Sequence, residues 1–327
     1  MMRSHDKRKT IAALTAVLVG ALLVSGCTGP APPPVKWPTR DSLIPPDAMK
    51  QTPGTDQHPP VLHLAGWAKP VPMPAPISSP GAEDSGYMSP DGSTLFFFFT
   101  PDVRLPPEKQ LAQGATGIYY STKMGSVWSL PQRARLAGSP TIALDGAQTL
   151  HGSTLWFASA RQGNYRDIDY YTCTFSNGKF TGVKNAGARL NQEIRIGEMD
   201  LNPSGTELYF HSTERAGKGG MDIFVTRMAD GKWQDPTPVD AVNTAENDGY
   251  PFIKQDGSEL WFTRTVNGTP AIFRSLKNGT AWRAPEMVIS TFAGEPNVDL
   301  AGNIYFTHHY YNNGTMIEAD IYVAYRL

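Results

Sequence analysis

The chain is poor in several features that mark common classes of protein. Among its 327 residues it has two cysteines, Cys27 and Cys173, so no framework of disulfides can hold the fold together. The apolar run at residues 11–24 is shorter than the ~20 residues that a helix needs to span a bilayer. Downstream of this run, no long segment repeats its apolar residues with the period of an amphipathic helix. These absences leave an all-β domain that is stabilised by its core alone.

Sequence motifs for common chemistries are also missing. The chain contains no G-x-S-x-G, H-E-x-x-H or P-loop motif, so nucleophilic, zinc-peptidase and nucleotide-hydrolysing chemistry lack support. We expect no cofactor and no metal ion. Without residues 1–26 the chain has four more acidic than basic residues and no run of lysine or arginine. This balance argues against nucleic acid and against an anionic membrane surface as partners.

The first residues have the three parts of an export signal. A basic head (Arg3, Lys7, Arg8 and Lys9) precedes the apolar run, and "VSGC" follows it. "VSGC" resembles the bacterial lipobox, which implies that Cys27 is lipidated and becomes the mature N-terminus. The alternative is an ordinary cleaved signal. Because Thr28 rather than Asp follows the cysteine, we expect anchoring to the outer membrane, facing the periplasm, or exposure at the cell surface.

Residues 27–60 are predicted to form a tether between this lipid and the folded domain. Ten prolines lie between residues 28 and 60. Proline fixes φ and lacks an amide donor, so such a segment favours extended chain. The folded domain is predicted at residues 61–327.

Five similar units follow one another in this domain. Each unit has a glycine turn, a Leu-aromatic-Phe segment or a near relative, and a third segment with an isoleucine. The turn glycines are Gly92, Gly152, Gly205, Gly257 and Gly302, and the isoleucines are Ile118, Ile168, Ile223, Ile272 and Ile321. A further strand follows in most units and carries Trp-x-x-Pro. The pattern predicts four short antiparallel strands in each unit, with a period near 50 residues.

Sheets of this kind cover both faces when they stack radially, so we predict a five-bladed β-propeller. The predicted blades cover approximately residues 82–139, 140–193, 194–245, 246–291 and 292–327. The last unit lacks a fourth strand, whereas an additional Trp-x-x-Pro, at Trp67, stands before the first unit. We therefore predict that residues 61–75 complete the last blade and close the ring. We expect the propeller to act as a monomer.

The repeats resemble those of a known family. "MSPDGSTLFFF", "LNPSGTELYFHS" and "IKQDGSELWFT", each followed by "DI(Y/F)V" or a relative, resemble the WD-like repeats of the TolB family of bacterial propellers. The resemblance covers all five units and implies a propeller that binds partners in the cell envelope. TolB-like chains usually have six blades, and TolB has an additional N-terminal domain; this sequence predicts five blades and no such domain.

Alignment on the turn glycines predicts which side chains line the central funnel. One row comprises Ser85, Asp145, Glu198, Tyr250 and Glu295, and a second row, two residues later, comprises Tyr87, Ala147, Asp200, Phe252 and Asn297. Alternation along a strand sends both rows to one side, which would make the funnel acidic. The alternative interpretation is structural: each acid accepts hydrogen bonds from a neighbouring blade or pairs with an arginine.

The connections between second and third strands are predicted to share the face where these rows begin. They bring candidate ligand-binding residues from four blades: Arg161, Arg215, Arg264, His308 and Tyr310. We expect "HHYY" at residues 308–311 to form a surface loop whose aromatic rings could stack on sugars. The longest connection, residues 100–116, is a further place where function could lie.

Two functions are consistent with this sequence. The first is a non-catalytic module that binds a protein or glycan of the envelope. The second is a glycoside hydrolase of the five-bladed, arabinanase-like type, which uses two carboxyl groups. In that case Glu198 or Glu295 is the acid, and Asp145 or Asp200 is the base.

Overall fold

The Leu-aromatic-Phe segments form the second strand of five antiparallel sheets. The structure, a computed structural model, describes residues 38–106, 108–110, 114–137 and 143–327. The first residues of these segments are fully buried at Leu95, Leu155, Leu208, Leu260 and Ile304. Side chains of neighbouring sheets pack together in shared apolar clusters. The predicted five-bladed β-propeller is confirmed.

The strands are distributed over the blades as follows. Blade 1 contains Ala82–Met88, Thr94–Thr100, Gly117–Met124, Val127–Trp128 and Gln132–Arg133. Blade 2 contains Ala143–His151, Thr154–Arg161, Asp169–Ser176 and Lys179–Asn185. Blade 3 contains Met199–Leu201, Glu207–Ser212, Asp222–Ala229, Lys232–Trp233 and Thr237–Pro238. Blade 4 contains Asp248–Ile253, Glu259–Val266, Thr269–Asn278, Ala281–Trp282 and Glu286–Ser290, and blade 5 contains Ala293–Val298, Ile304–Asn312 and Thr315–Ala324. The helical segments include a 3₁₀ turn at Arg40–Leu43 and a π-helical turn at Arg189–Ile194, and residues 108–110 are also helical.

The ring is closed by the N-terminal segment, as predicted. Strand Val71–Pro72 pairs with Val323 and Tyr322 of blade 5, and Trp67 forms a bridge with Arg326. The indole of Trp67 is buried and donates a hydrogen bond of 2.8 Å to the carbonyl of Gly302. A short strand just before it, Val61–Leu62, pairs with the edge of blade 4. The segment therefore joins the last two blades.

Blade 2 departs from the glycine alignment. Its first two strands are joined by a two-residue turn, Gly152–Ser153, whereas longer turns join them in the other blades. Its glycine is therefore two residues closer to the inner strand, and the predicted rows were wrong by two positions in this blade. Its third strand is also displaced: Tyr170, rather than Ile168, occupies the buried position, and Ile168 is 56% exposed.

Part of the proline-rich stretch packs against the propeller. Arg40 is buried and donates to the carbonyl of Ile77 at 2.7 Å. Lys50 pairs with Asp320 at 2.5 Å, and Asp56 contacts His308 at 2.9 Å. Through these contacts, and through the pair of Arg40 with Glu83, residues 38–60 pack against blades 1 and 5. The predicted signal, Cys27 and residues 27–37 lie outside the described residues. Among the residues that the structure describes, no helix is long and apolar enough to cross a membrane.

Candidate functional site

The mouth of the funnel is shaped by β-bulges in the inner strands. Ser85, Ala147, Tyr250 and Glu295 occupy equivalent positions and have φ between 48° and 56°. In blade 1 the register shifts at this point, since Asp84 pairs with Phe98 whereas Tyr87 pairs with Phe96. A bulge interrupts the alternation of side chains. As a result, the adjacent residues Asp84 and Ser85 both line the same cavity.

A cavity of about 720 Å³ opens at this mouth over blades 2 and 3. Its polar lining comes from the funnel: Asp84, Ser85, Glu198, His211 and Glu295. Its walls are largely apolar and include Phe98, Leu144, Ile168, Tyr170 and Ile196. At the rim, Arg166 and Arg195 both pair with Glu214. The cavity has the size and mixed lining of a ligand site.

Three carboxyl groups from three different blades meet in this cavity. Glu295 accepts hydrogen bonds from the amide of Ser85 at 2.9 Å and the hydroxyl of Thr307 at 3.0 Å. Asp84 accepts from the same amide at 2.9 Å. Within the described part of the chain, no group donates a hydrogen bond to the carboxyl of Glu198, and no lysine or arginine pairs with any of the three. Glu198 is the member left free for a ligand.

Burial and crowding perturb these groups. Burial raises the pKa of Glu198 to about 8, with a further contribution from the negative charge of Asp84. Burial, Asp84 and Glu198 together raise the pKa of Glu295 well above its ordinary value. Burial lowers the pKa of His211 to about 4, so this imidazole is neutral at pH 7. The site therefore holds a proton on the carboxyl group of Glu198 at neutral pH.

Two of the predicted acids have structural roles. Asp145 lies outside the funnel row because of the blade 2 offset, and it pairs with Arg161 at 2.6 Å. Asp200 accepts from the hydroxyl of Thr149 at 2.7 Å and from the amide of Ile253, in the next blade, at 2.9 Å. Both acids are buried. The expectation that they line an open acidic funnel is wrong.

The predicted arginines also serve the scaffold. Arg264 pairs with the buried Asp248 at 2.6 Å. Arg215 donates to the carbonyl of Ile194 at 2.8 Å. Together with Arg161, which pairs with Asp145, all three arginines bind acids or backbone carbonyls of the scaffold, and none of them pairs with Glu198.

The prediction of a surface loop at "HHYY" is wrong. The four residues lie within strand Ile304–Asn312, and His308 and Tyr310 are buried. The hydroxyl of Tyr310 contacts that of Tyr322 at 2.8 Å, and His308 contacts Asp56 of the N-terminal segment. The ring of Tyr311 stacks on Phe292 at 4.6 Å. Only His309 approaches the mouth, with Nε2 3.7 Å from Asp84 Oδ1.

Sequence reasoning missed Asp84 and His211. Asp84 lies one residue before the predicted row, a position that simple alternation assigns to the opposite side of the strand. The sequence contains one signal of this exception: Glu83 and Asp84 in "AEDSG" are consecutive acids, so polar and apolar residues do not alternate at this point of the strand. His211 follows the Leu-aromatic-Phe segment of blade 3, where most other blades have a small residue or threonine. Among the described residues, no three histidine, cysteine or acidic side chains are arranged to hold a metal ion.

The fold and this cavity define a five-bladed β-propeller with a carboxyl-lined mouth. No family model matches the sequence, and no curated protein was found to be similar to it. Solved structures with a similar fold include a thermostable family-43 glycoside hydrolase, with 10% identity and a TM-score of 0.45 over 74% of this chain and 94% of that one. They also include an α-L-arabinofuranosidase from Lactobacillus brevis, with 10% identity and a TM-score of 0.47 over 75% and 90%. A putative TolB from Agrobacterium tumefaciens has 16% identity and a TM-score of 0.38 over 76% and 92%. These similarities concern the fold alone.

Proposed function

We propose that the chain is an exported, lipid-anchored binding module of the bacterial cell envelope that takes a glycan or a segment of an envelope protein into the funnel mouth. One observation carries this proposal. The open cavity of about 720 Å³ reaches the inner strands at Glu198, whose carboxyl has no partner among the described residues. Its apolar walls supply contact area, and its polar floor supplies orientation.

The anchor is a separate part of the proposal. A lipidated Cys27 would hold the propeller at the membrane. Mass spectrometry of the N-terminal peptide tests this directly. Acyl groups on Cys27, and release of a Cys27→Ala variant from the membrane fraction, are expected; an unmodified and soluble wild-type chain would contradict the anchor. The propeller is proposed to be a monomer.

Binding is tested with the chain that lacks residues 1–27, which retains every described residue. A glycan array and a panel of envelope proteins are the probes. Glu198→Ala removes the unpartnered carboxyl group from the cavity. We expect this variant to bind more weakly than the wild-type chain, whereas Glu193→Ala, at an exposed residue away from the cavity, should bind as the wild-type chain does. Equal binding by both variants would contradict the site.

A second function, glycoside hydrolysis, is favoured by one specific observation. The pKa of Glu198 is raised to about 8, so that the group retains its proton at neutral pH as a general acid must. Asp84 and Glu295 stand in the same cavity as candidates for the second carboxyl group. Hydrolysis of any bound glycan that disappears in Glu198→Gln would establish this function, and binding without turnover would establish the first.

A further inference from the structure

The cavity at the funnel mouth combines two kinds of surface. The inner strands contribute the carboxyl groups of Asp84, Glu198 and Glu295, and the walls contribute a set of apolar side chains that includes Phe98 and Ile168. A site of this volume selects its ligand through the groups that line it. The charge of the carboxyl groups and the character of the walls together define which ligand fits.

The three carboxyl groups lie close together although they come from three blades. Asp84 and Glu295 each accept a hydrogen bond of 2.9 Å from the same backbone amide, that of Ser85, so they are neighbours across the boundary between blades 1 and 5. The charge of Asp84 also reaches Glu198, because it contributes, after burial, to the raised pKa of that group. The mouth therefore has one shared cluster of acids.

This cluster has no cation of its own. Among the described residues no lysine or arginine forms an ion pair with any of the three acids, and the rim residues Arg166 and Arg195 both pair with Glu214. His309 Nε2 lies 3.7 Å from Asp84 Oδ1 but carries a charge only when protonated. A positive charge bound among the acids would remove their mutual repulsion, so the cavity is complementary to a cationic ligand.

The arrangement of the acids distinguishes between types of cation. An ammonium group presents three N–H donors around one nitrogen, whereas a guanidinium presents its donors in a plane that matches one carboxylate side by side. Carboxyl groups that approach from three blades around the funnel axis match the first pattern. The cluster therefore favours a primary ammonium group over a guanidinium group.

The walls indicate what carries this ammonium group. Ile168 is 56% exposed at the rim of the cavity, and its loop is held by hydrogen bonds from Asn164 Nδ2 to the carbonyl of Ser159 at 2.7 Å and from the amide of Tyr165 to Asp169 at 2.8 Å. Apolar walls suit the methylene stem of a lysine side chain. An amino sugar would place hydroxyl groups against the same walls, where they lose their hydrogen bonds to water.

We propose that the cavity at the funnel mouth is a lysine pocket, into which a segment of an envelope protein inserts one lysine side chain. The ammonium group lies among Asp84, Glu198 and Glu295, and the stem passes along Ile168. This inference rests on the proposed function and narrows its ligand from a glycan or a protein to a protein segment with an exposed lysine.

The probes are four peptides that differ in one side chain. Each has a capped glycine-serine sequence with lysine, norleucine, acetyl-lysine or arginine at its centre, and NMR titration of the chain lacking residues 1–27 measures the affinity. Norleucine keeps the apolar stem without the ammonium group, and acetyl-lysine keeps the length without the charge. We expect the lysine peptide to bind at least ~10-fold more tightly than either neutral peptide, a difference of about 1.4 kcal/mol, and more tightly than the arginine peptide.

Two variants with matched controls test the two surfaces. Asp84→Asn keeps the oxygen that accepts from Ser85 but removes the charge, and it should weaken binding of the lysine peptide at least ~10-fold. Asp230→Asn makes the same change of net charge at an exposed turn residue with φ 50°, a conformation that asparagine accepts, and should leave binding unchanged. Ile168→Ser should weaken binding by ~3-fold, whereas Val183→Ser, at an exposed apolar residue of the same blade, should not.

The outcomes separate this inference from the proposed function. Equal binding of the lysine and neutral peptides, or equal binding by Asp84→Asn and Asp230→Asn, overturns the lysine pocket, and an arginine peptide that binds as tightly as lysine overturns the selection of an ammonium group. If Asp84→Asn does not fold, the four peptides still test the inference on the wild-type chain. Binding of a glycan but of no lysine peptide overturns the inference and leaves the binding module intact. A wild-type chain that binds no peptide, glycan or envelope protein overturns both.

Discussion

Two sets of acids occupy neighbouring positions on the inner strands and have opposite surroundings. Glu83, Asp145 and Asp248 are equivalent in the strand register, and each faces an arginine: Arg40 at 3.6 Å, Arg161 at 2.6 Å and Arg264 at 2.6 Å. Asp84, one residue after Glu83, belongs with Glu198 and Glu295 to the set that pairs with no arginine or lysine of the described residues. A shift of a single residue thus separates an acid that holds the scaffold from one that faces the cavity.

The difference shows which buried acids of this fold have a compensating cation and which do not. A buried carboxylate is costly unless it is paired or hydrogen-bonded, and the first set meets that requirement. Burial raises the pKa of Glu83 and Asp248 in the first set as well as that of Glu198 and Glu295 in the second, but only in the first set does an arginine oppose the rise. Perturbed groups that line a cavity are candidates for function, whereas perturbed groups covered by arginine are parts of the scaffold.

The largest expected effect comes from removing an arginine of the first set. Arg264→Met leaves the fully buried Asp248 without its cation, and breaking such a pair costs about 3–5 kcal/mol. Arg227→Met is the control, because Arg227 is 55% exposed where it pairs with Glu207, and such pairs are worth about 0–1 kcal/mol. Urea unfolding measures both. Equal losses in the two variants would show that the first set does not stabilise the scaffold in this way.

A smaller effect concerns the dependence of stability on pH. Because the pKa of Glu198 is raised to about 8, the folded state keeps a proton that the unfolded state loses above its ordinary pKa of 4.5. Stability then falls as pH rises towards 8. The lowered pKa of His211, about 4, acts in the opposite direction but only below its ordinary value of 6.5, and the raised pKa of Glu318, about 7, acts mainly below pH 7.

The measurement is therefore the melting temperature between pH 7 and pH 8. We expect it to decrease over this interval in the wild-type chain, and to decrease less in Glu198→Gln, which has no proton to lose. Glu193→Gln, exposed and remote from the funnel, should follow the wild-type chain. A wild-type melting temperature that rises from pH 7 to pH 8, or an unchanged slope in Glu198→Gln, would contradict the assignment of a protonated Glu198.

The scaffold could be predicted from sequence far better than the site. The blade count and the closing strand at Trp67 follow from the copies of a regular pattern, and one aberrant copy does not change a count. The site depends on single positions. Because the turn at Gly152 has only two residues, Asp145 lies two positions away from the place that the glycine alignment predicts. Because of the bulge at Ser85, Asp84 lines the cavity, although alternation along the strand assigns it to the opposite side. Such local changes do not alter the number of repeats but move a side chain across a strand.

The smallest expected effect isolates the influence of Asp84 on its neighbours. Burial is the main reason for the raised pKa of Glu198, and the charge of Asp84 is the second, so Asp84→Asn should lower the pKa of Glu198 while leaving it above 4.5. The pKa of Glu295, which is raised by burial and then by Asp84 and Glu198, should move in the same direction. Carboxyl NMR titration of the chain labelled at glutamate measures both groups. Asp145→Asn provides the comparison from the first set, because Asp145 is paired with Arg161 and does not line the cavity at the funnel mouth. If Asp84→Asn leaves both titrations unchanged, the charge of Asp84 does not contribute to the raised pKa values of the two glutamates, and the three carboxyl groups do not act as one electrostatic unit.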